Sequence, residues 1–575
     1  MTPAPPTAMP RLSSGMVVIL LVAAVLRAWN VGFGLPAVYN PDEVAIMNRA
    51  VALGQNGLNP HNFLYPSLYF YVLFAWEGLW FVVGLVTGQF SSLADFERAY
   101  FVDPTSIYVA GRLLSVVAGV ATVWATWRLG SRLFGPRVGQ VAALLLAVAP
   151  LAVRDAHYVK HDVPVTLLVV LAMGAIVKAA ESGRQRDWMI AGIVAGLAMS
   201  THYYALFVVL PGIVLCLHGR GSRQAGQVIR DLGYFLVAAG VAFVATSPFL
   251  LVEWQTALRD ITANRQIVID RATGSGGLLA SLGYYATWLA SDGVGLVTTV
   301  LALIGLVALT RTGFVPIVSL VVFPVAFLLF IANTVPASRY LNPVLPFAAV
   351  LAGLAVDRLA RSPGGFLRLL AGMLIAAATV QATTASLRVV SFFGQTDTRT
   401  LAREWIEREV PAESSVLVQP YSVPLQQSRA ALDEALTHHL GSPEKASVKF
   451  QRQRALTPYP APAYRLIYLG SGGLDVDRIY LEPQAFDRAA GLEPLRSAAV
   501  TYVVLKRYNE PDPSMASLSR ALEERARLVA TFSPYRTDAD PLVRAVTPPF
   551  LHNTDVRVGA ALERPGPIVD VWRLD

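Results

Sequence analysis

Between residues 13 and 390 the chain is a succession of long apolar runs separated by short charged turns, and few folds accept that arrangement. A run of about 20 apolar residues crosses a bilayer as a helix, because lipid offers backbone groups no partner outside the segment. Runs of suitable length are read near 13–32, 106–128, 138–154, 163–180, 188–201, 203–218, 231–250, 286–310, 313–333, 341–359 and 366–389. The pair 188–201 and 203–218 is short, which fits tilted or half-buried segments. Composition agrees: of 575 residues, 54% are hydrophobic and 15% charged, too apolar for a soluble protein of this size. The single cysteine, Cys216, lies inside an apolar run, so no disulfide framework exists. The first apolar run is followed by no small-residue cleavage site and reads as an uncleaved span.

Basic residues are expected in cytoplasmic turns. Arg128, Arg132 and Arg137 mark one such turn, then Arg184 and Arg186, then Arg220, Arg223 and Arg230, then Arg311, then Arg358, Arg361 and Arg368. The formal charge of +8 is therefore read as topology and anionic headgroups, with no nucleic acid implied. The remaining connections carry Asp42 and Glu43, Arg154 to Asp162, His202 to Tyr204, the loop 251–285, and Ser338 to Tyr340; they fall on the outer side. Residues 66–87 break this parity and are read as a re-entrant or membrane-surface element, the alternative being a thirteen-span chain. Gly84 and Gly88, like Gly192 and Gly196, have the spacing that lets helices approach closely.

After Val390 charges recur every few residues, giving a membrane domain over 1–390 and a soluble domain over 391–575. The pattern predicts a helix carrying Leu401, Trp405 and Ile406, a strand over Ser415 to Val418, a strand over Ala499 to Tyr508, an amphipathic helix over 517–532 and a terminal strand over 567–574. Residues 425–465 have no clear period. The fold class is thus an α-helical polytopic membrane protein of about 11–13 spans with a C-terminal mixed α/β domain. An inner N-terminus and an odd number of spans put that domain outside.

Acids and cations recur beside spans on the outer side. Asn40-Pro41 starts a short helix, which puts Asp42 and Glu43 at its positive end, where a carboxylate stays ionised; the same position also suits Asp42 as a simple cap. The run RDAHYVKHD supplies Arg154, Asp155, His157, Tyr158, Lys160, His161 and Asp162, and cations at headgroup depth suit an anionic phosphate. Asp162 before Val163-Pro164 serves equally as helix cap or site acid. Arg339-Tyr340 and His202-Tyr203-Tyr204 lie at outer span ends, while Arg27 and Arg112 sit inside apolar runs, where a charge needs a partner. The sequence holds no Walker A loop, dinucleotide fingerprint, HExxH or paired CxxC motif.

Five stretches in this order carry a family resemblance: Asp42-Glu43, YPSLYFY (Tyr65 to Tyr71), AGRLLS (Ala110 to Ser115), Asp162, and the SRY element from Ser338 to Pro346. Over residues 15–390 they resemble the GT-C membrane glycosyltransferases, in the bacterial branch related to protein O-mannosyltransferases and the aminoarabinose transferase of lipid A. The resemblance implies sugar transfer from a polyprenyl-phosphate donor to a lipid, glycan or protein acceptor, at the outer face of the cytoplasmic membrane. It implies Asp42 as general base, Glu43 as the residue orienting it, and Asp162 as a second acid. Arg112, His157, Lys160 and Arg339 become candidates to hold the carrier phosphate, with Tyr158, His202, Tyr203 and Tyr340 as further substrate-binding candidates. His202-Tyr203 departs from the Lys-Tyr of many relatives. Displacing a phosphate from an anomeric carbon needs a base on one side and positive charge on the other, and one in-line attack inverts the centre. A divalent ion bridging Asp42 to the phosphate is compatible with this scheme, but no compact ligand set marks one, so no cofactor is assigned. The reading from another class is a lipid or solute transporter with an outer sensing domain.

Overall fold

The computed structural model describes residues 12–55, 57–218, 224–269, 277–472, 475–486, 491–508, 512–552 and 557–574, so Arg220 and Arg223 lie outside the described residues. The chain divides into two units. The first comprises Met1–Val31, Pro41–Val83 and Ile107–Val390; the second comprises Gly32–Asn40, Gly84–Ser106 and Ser391–Asp575. Two stretches ahead of residue 390 therefore pack with the C-terminal part.

The helices up to residue 393 are α1 Ser14–Ala28, α2 Pro41–Ala52, α3 Leu68–Thr87, α4 Leu93–Val102, α5 Thr105–Phe134, α6 Pro136–Ala147, α7 Pro150–Asp155, α8 Asp162–Ser182, α9 Gln185–Thr201, α10 Val209–His218, α11 Ala225–Thr246, α12 Phe249–Val252, α13 Trp254–Ile269, α14 Gly277–Trp288, α15 Leu296–Leu309, α16 Phe314–Ile331, α17 Leu345–Ala360 and α18 Gly365–Phe393. Among the described residues seven helical stretches are long and apolar enough to cross a membrane, or eight if one bent pair is counted as a span. The expected spans near 106–128, 163–180, 231–250, 313–333, 341–359 and 366–389 each fall within or largely overlap one of them. The others are shorter or broken, for local reasons. Pro150 separates α6 from α7, because its ring cannot continue the preceding helix. The expected span 286–310 is two helices meeting at 119° around Gly295, whose φ of 89° an L side chain rarely adopts.

Of the expected forms of residues 66–87, the structure excludes the re-entrant one. In place of a re-entrant element, α3 is one uninterrupted helix of 20 residues, long and apolar enough to cross a membrane. Nothing interrupts its backbone, since its glycines at 78 and 84 leave helical hydrogen bonding intact. The two glycine pairs also separate. A Cβ on Gly192 or Gly196 would overlap backbone carbonyls of Phe235 and Ala239, so these glycines let α9 and α11 touch main chain to main chain. Gly84 instead makes room for the Phe90 ring, and Gly88, at φ 76°, turns the chain after α3. Similar backbone contacts join α15 to α17, where Gly305 meets the Leu351 carbonyl, and α6 to α17, where Gly353 meets that of Val138.

Two buried arginines organise the ends of helices in the first unit. Arg27 of α1 donates to the carbonyls of Ala147 at 2.8 Å and Leu146 at 3.2 Å at the end of α6, where the helix dipole is negative. Arg112 of α5 donates from Nε to Glu43 Oε1 at 2.9 Å and from Nη2 to Oε2 at 3.0 Å, and from Nη1 to the Val31 carbonyl at 2.8 Å. Both side chains of the Arg112–Glu43 pair are fully buried. Glu43 also accepts the Val159 N–H at 3.0 Å, so one carboxylate joins α2, α5 and the stretch between α7 and α8.

The second unit carries a six-stranded sheet of β1 Ser415–Val418, β2 Arg465–Leu469, β3 Ile479–Leu481, β4 Tyr502–Arg507, β5 Ala526–Phe532 and β6 Ile568–Leu574, in the order β3-β2-β1-β4-β6-β5. The first four strands pair in parallel and the last two antiparallel. One face is covered by α19 (Thr398–Glu409), whose Ala402 and Ile406, with Val410 just after it, pack on Val416, Val418, Leu466 and Val504. The other face packs against Leu495, Leu518 and Leu522. The expected helix over 517–532 ends at Arg525, and the rest is β5, which pairs antiparallel with β6 from Ala526 to Phe532 with a bulge between Leu528 and Ala530. The stretch left unassigned holds helices at Arg429–Leu440 and Val448–Arg454.

Two outcomes follow from this packing. Gly192→Val is expected to lower the melting temperature of detergent-purified protein markedly, since a backbone carbonyl cannot move aside as a side chain does; Gly240→Ala, where a Cβ meets open space, is expected to be neutral or stabilising by up to about 1 kcal/mol. Arg112→Met should cost about 3–5 kcal/mol by stranding the Glu43 charge, and adding Glu43→Gln should recover part of that loss. A double variant no more stable than Arg112→Met would contradict the second expectation.

Candidate active site

The cluster is built at the start of α2. Pro41 opens the helix and Asp42 follows in its first turn. The Asp42 carboxylate lies 2.9 Å from Lys160 Nζ and 3.9 Å from Arg339 Nη2. Its side chain is 41% exposed while that of Lys160 is 6% exposed, so an accessible acid is backed by a buried cation. Burial alone would raise the pKa of Asp42, but Lys160 and Arg339 outweigh it and hold the carboxyl below its ordinary value.

Each cation is fixed by its own scaffold. Lys160 lies in the stretch between α7 and α8, held by the Val159 bond to Glu43 and by the Ser115 hydroxyl donating to the Tyr158 carbonyl at 2.7 Å. Arg339 belongs to a tight helical turn, Ser338–Val344. Asn342 donates from Nδ2 to the Arg339 carbonyl at 2.9 Å and to Asp155 Oδ2 at 2.5 Å. Arg154 pairs with Asp155 at 2.6 Å and donates to the Ser338 hydroxyl at 3.3 Å. This buried network sets the turn that presents Arg339 to Asp42. Asp162, the first residue of α8, is buried and within electrostatic reach of Arg339, Lys160, Asp155 and Asp42.

Aromatic groups form another wall. The His161 ring stacks on Tyr65 at 4.3 Å and lies 4.6 Å from Tyr69 and 5.2 Å from Phe70; His202 meets Tyr65 edge-on at 5.2 Å. Burial pulls the His161 pKa down to about 3 and that of His202 well below its ordinary value, so both rings are neutral at pH 7. His161 Nε2 is buried with no hydrogen-bond partner among the described residues. Permanent positive charge beside Asp42 therefore comes from Lys160 and Arg339.

Of the residues singled out in the sequence, the structure brings together Asp42, Lys160, Asp162 and Arg339. Tyr340 lies beside its neighbour Arg339, with the guanidinium 5.2 Å from its ring, and His202 stands behind Tyr65. The others point elsewhere. Glu43 and Arg112 are committed to each other. His157 spans the carbonyls of Val153 and Trp29 at 2.8 and 2.9 Å, because a buried imidazole needs partners for its ring nitrogens. Tyr158 is buried with its ring 5.6 Å from Lys160 Nζ, and the Tyr203 hydroxyl donates to the Phe63 carbonyl at 2.9 Å. Tyr65, His161, Asp155 and Asn342 belong to the cluster although their sequence positions gave them no distinct role. Among the described residues no group of three or more His, Cys, Asp or Glu is arranged to hold a metal ion.

Comparison with known proteins gives this geometry a setting. Residues 106–252 match the family described as dolichyl-phosphate-mannose-protein mannosyltransferase. A curated relative, "Putative mannosyltransferase YycA" of Bacillus subtilis (strain 168), is 23% identical over 206 residues, and the match spans 36% of this chain and 27% of that protein. Among solved structures, ArnT from Cupriavidus metallidurans bound to undecaprenyl phosphate is similar with a TM-score of 0.51 and 16% identity, over 97% of this chain and 98% of that one. The same protein in the apo state has a TM-score of 0.52 and 15% identity, over 90% and 97% of the two chains. The chain thus shares the fold of ArnT over nearly the whole length of both chains, and its match to a mannosyltransferase family runs across α5 to α12.

Proposed function

We propose that the protein transfers a hexosyl or pentosyl unit from a polyprenyl-phosphate-linked donor to an acceptor hydroxyl at the outer side of the cytoplasmic membrane, with inversion. The observation that carries this reading is the accessible Asp42 carboxylate set against Lys160 and Arg339. The likeness to a structure bound to undecaprenyl phosphate supports the carrier, and the basic turns that alternate with this cluster along the chain support the outer side.

In this reaction the acceptor oxygen bonds to the anomeric carbon as the carbon–oxygen bond to phosphate breaks. The bonding pair leaves on the phosphate oxygen, and its charge is met by Lys160 and Arg339. Asp42 takes the hydroxyl proton. A carboxylate with a lowered pKa is a weak base, but an oxocarbenium-like transition state makes the hydroxyl acidic before the proton leaves. The negative charge of an arriving donor phosphate also offsets the two cations, which raises the basicity of Asp42 when the acceptor is in place. Asp162, buried behind the cations, balances the charge of the pocket. Glu43 acts through position, joining Asp42's helix to the stretch that carries Lys160.

Asp42→Asn is expected to lower turnover by about 10²- to 10⁴-fold in protein that still folds, measured with a radiolabelled prenyl-phosphate sugar and membrane extracts as acceptor. An undiminished rate would sink the assignment. Because Asp42 is held below its ordinary value, it is ionised at neutral pH, and the acid limb of kcat/KM should fall below about pH 4. An acid limb that Asp42→Asn leaves in place would assign the limb to another group.

A further inference from the structure

The second unit contains a cavity of about 200 Å³ that the transfer chemistry does not use. Its place in the sheet is informative. With strand order β3-β2-β1-β4, the chain moves to one side of β1 for β2 and β3 and to the other for β4, so the order reverses between β1 and β4. In open parallel sheets ligands bind outside the carboxyl ends of the strands at such a reversal. The cavity lies beside it, at the carboxyl ends of β1 and β2: it is lined by Val418, which ends β1, by the loop that follows and by Tyr468 near the end of β2.

Its chemistry is aromatic and cationic. The Arg399 guanidinium lies 3.9 Å from the Tyr39 ring, and that of Arg478 lies 4.6 Å from the Tyr468 ring. Lys506, near the carboxyl end of β4, stands outside the lining but has Nζ 5.3 Å from the ring of Tyr421, which belongs to it. Arg399 is balanced by Asp397 through bonds of 2.8 and 2.7 Å. The other two are less committed. Arg478 contacts Asp475 at 3.2 Å, while its Nε is buried with no hydrogen-bond partner among the described residues. Lys506 makes no ion pair among the described residues, and burial, with Arg399 nearby, lowers its pKa to about 8. At the mouth, Tyr421 is 64% exposed and held at φ 65°, a conformation costly for a residue with a Cβ. Such strain persists where surrounding structure enforces it, commonly at ligand clamps.

We propose that this cavity binds one anionic saccharide unit, its ring stacked between tyrosines and its carboxylate or phosphate paired with Arg478 and Lys506, and that this unit belongs to the acceptor glycan. The volume is of the order of one sugar ring. Tyrosine faces suit the apolar C–H surface of a pyranose, and a planar guanidinium suits a carboxylate or phosphate. The last clause rests on the proposed transfer reaction; the binding site itself does not.

The test is isothermal titration of the detergent-purified full chain with D-glucuronate and D-glucose 6-phosphate, with D-glucose and inorganic phosphate as controls. Both anionic sugars should bind at least tenfold more tightly than either control. Tyr421→Ala and Arg478→Gln should each weaken them at least tenfold, whereas Lys160→Gln and Asp42→Asn should leave binding unchanged. No binding of either anionic sugar, phosphate binding as tightly as the sugar phosphate, or binding lost with Lys160→Gln and retained with Arg478→Gln would each overturn the proposal. Failure of the transfer reaction with binding intact would remove the acceptor role and leave the saccharide site.

Discussion

One buried ion pair underlies the geometry of the cluster. Glu43 and Arg112 are removed from water together, and such a pair persists only when the remaining hydrogen-bonding positions are filled. Here the Val159 N–H fills one on the carboxylate and the Val31 carbonyl one on the guanidinium. Four segments of chain, distant in sequence, thus meet at one point. Because Asp42 is adjacent to Glu43 and Lys160 to Val159, their separation of 2.9 Å is inherited from that meeting. A flexible salt bridge at the surface would give no such fixity.

The second cation reaches the same acid by a different device. Arg339 sits on a turn whose shape is set by Asn342, Asp155, Arg154 and Ser338, all buried. Charged groups in a low-dielectric interior interact strongly, and an incompletely satisfied network there would be costly. The cluster is therefore preorganised from two directions. Neutral His161 and His202 line the third side and leave its charge to Lys160, Arg339 and the acids.

Much of this was legible in the chain, and the rest has identifiable reasons for being hidden. Asp42, Lys160, Asp162 and Arg339 stand out because each sits at the end of an apolar run, where a charge is conspicuous. Glu43 stands out equally, but its partner lies 69 residues away inside an apolar helix, and nothing local distinguishes a structural pair from a reactive one. His157 and Tyr203 are bound to backbone carbonyls, which sequence does not mark. The stacking of Tyr65 on His161 depends on helix packing alone. Residues 66–87 form a plain helix because hydropathy favours one, whereas the charge parity of distant loops argued for a re-entrant shape. In the second unit β1, β4 and β6 follow from apolar runs, while β2 and β3, short and flanked by turn residues, emerge only from pairing.

The glycine contacts bear on how a lipid can enter. Where Gly192 and Gly196 bring α9 against α11, and Gly305 and Gly353 bring α15 and α6 against α17, main chain touches main chain. No hydrocarbon tail fits into seams of that kind. On the proposed reading, the isoprenoid portion of a carrier would lie along flanks that remain open, such as the outward rows of α3 with Leu79, Val82 and Val83 and of α11 with Val237 and Val241. On that reading, the route open to a lipid chain is narrowed by small residues far from any reacting atom.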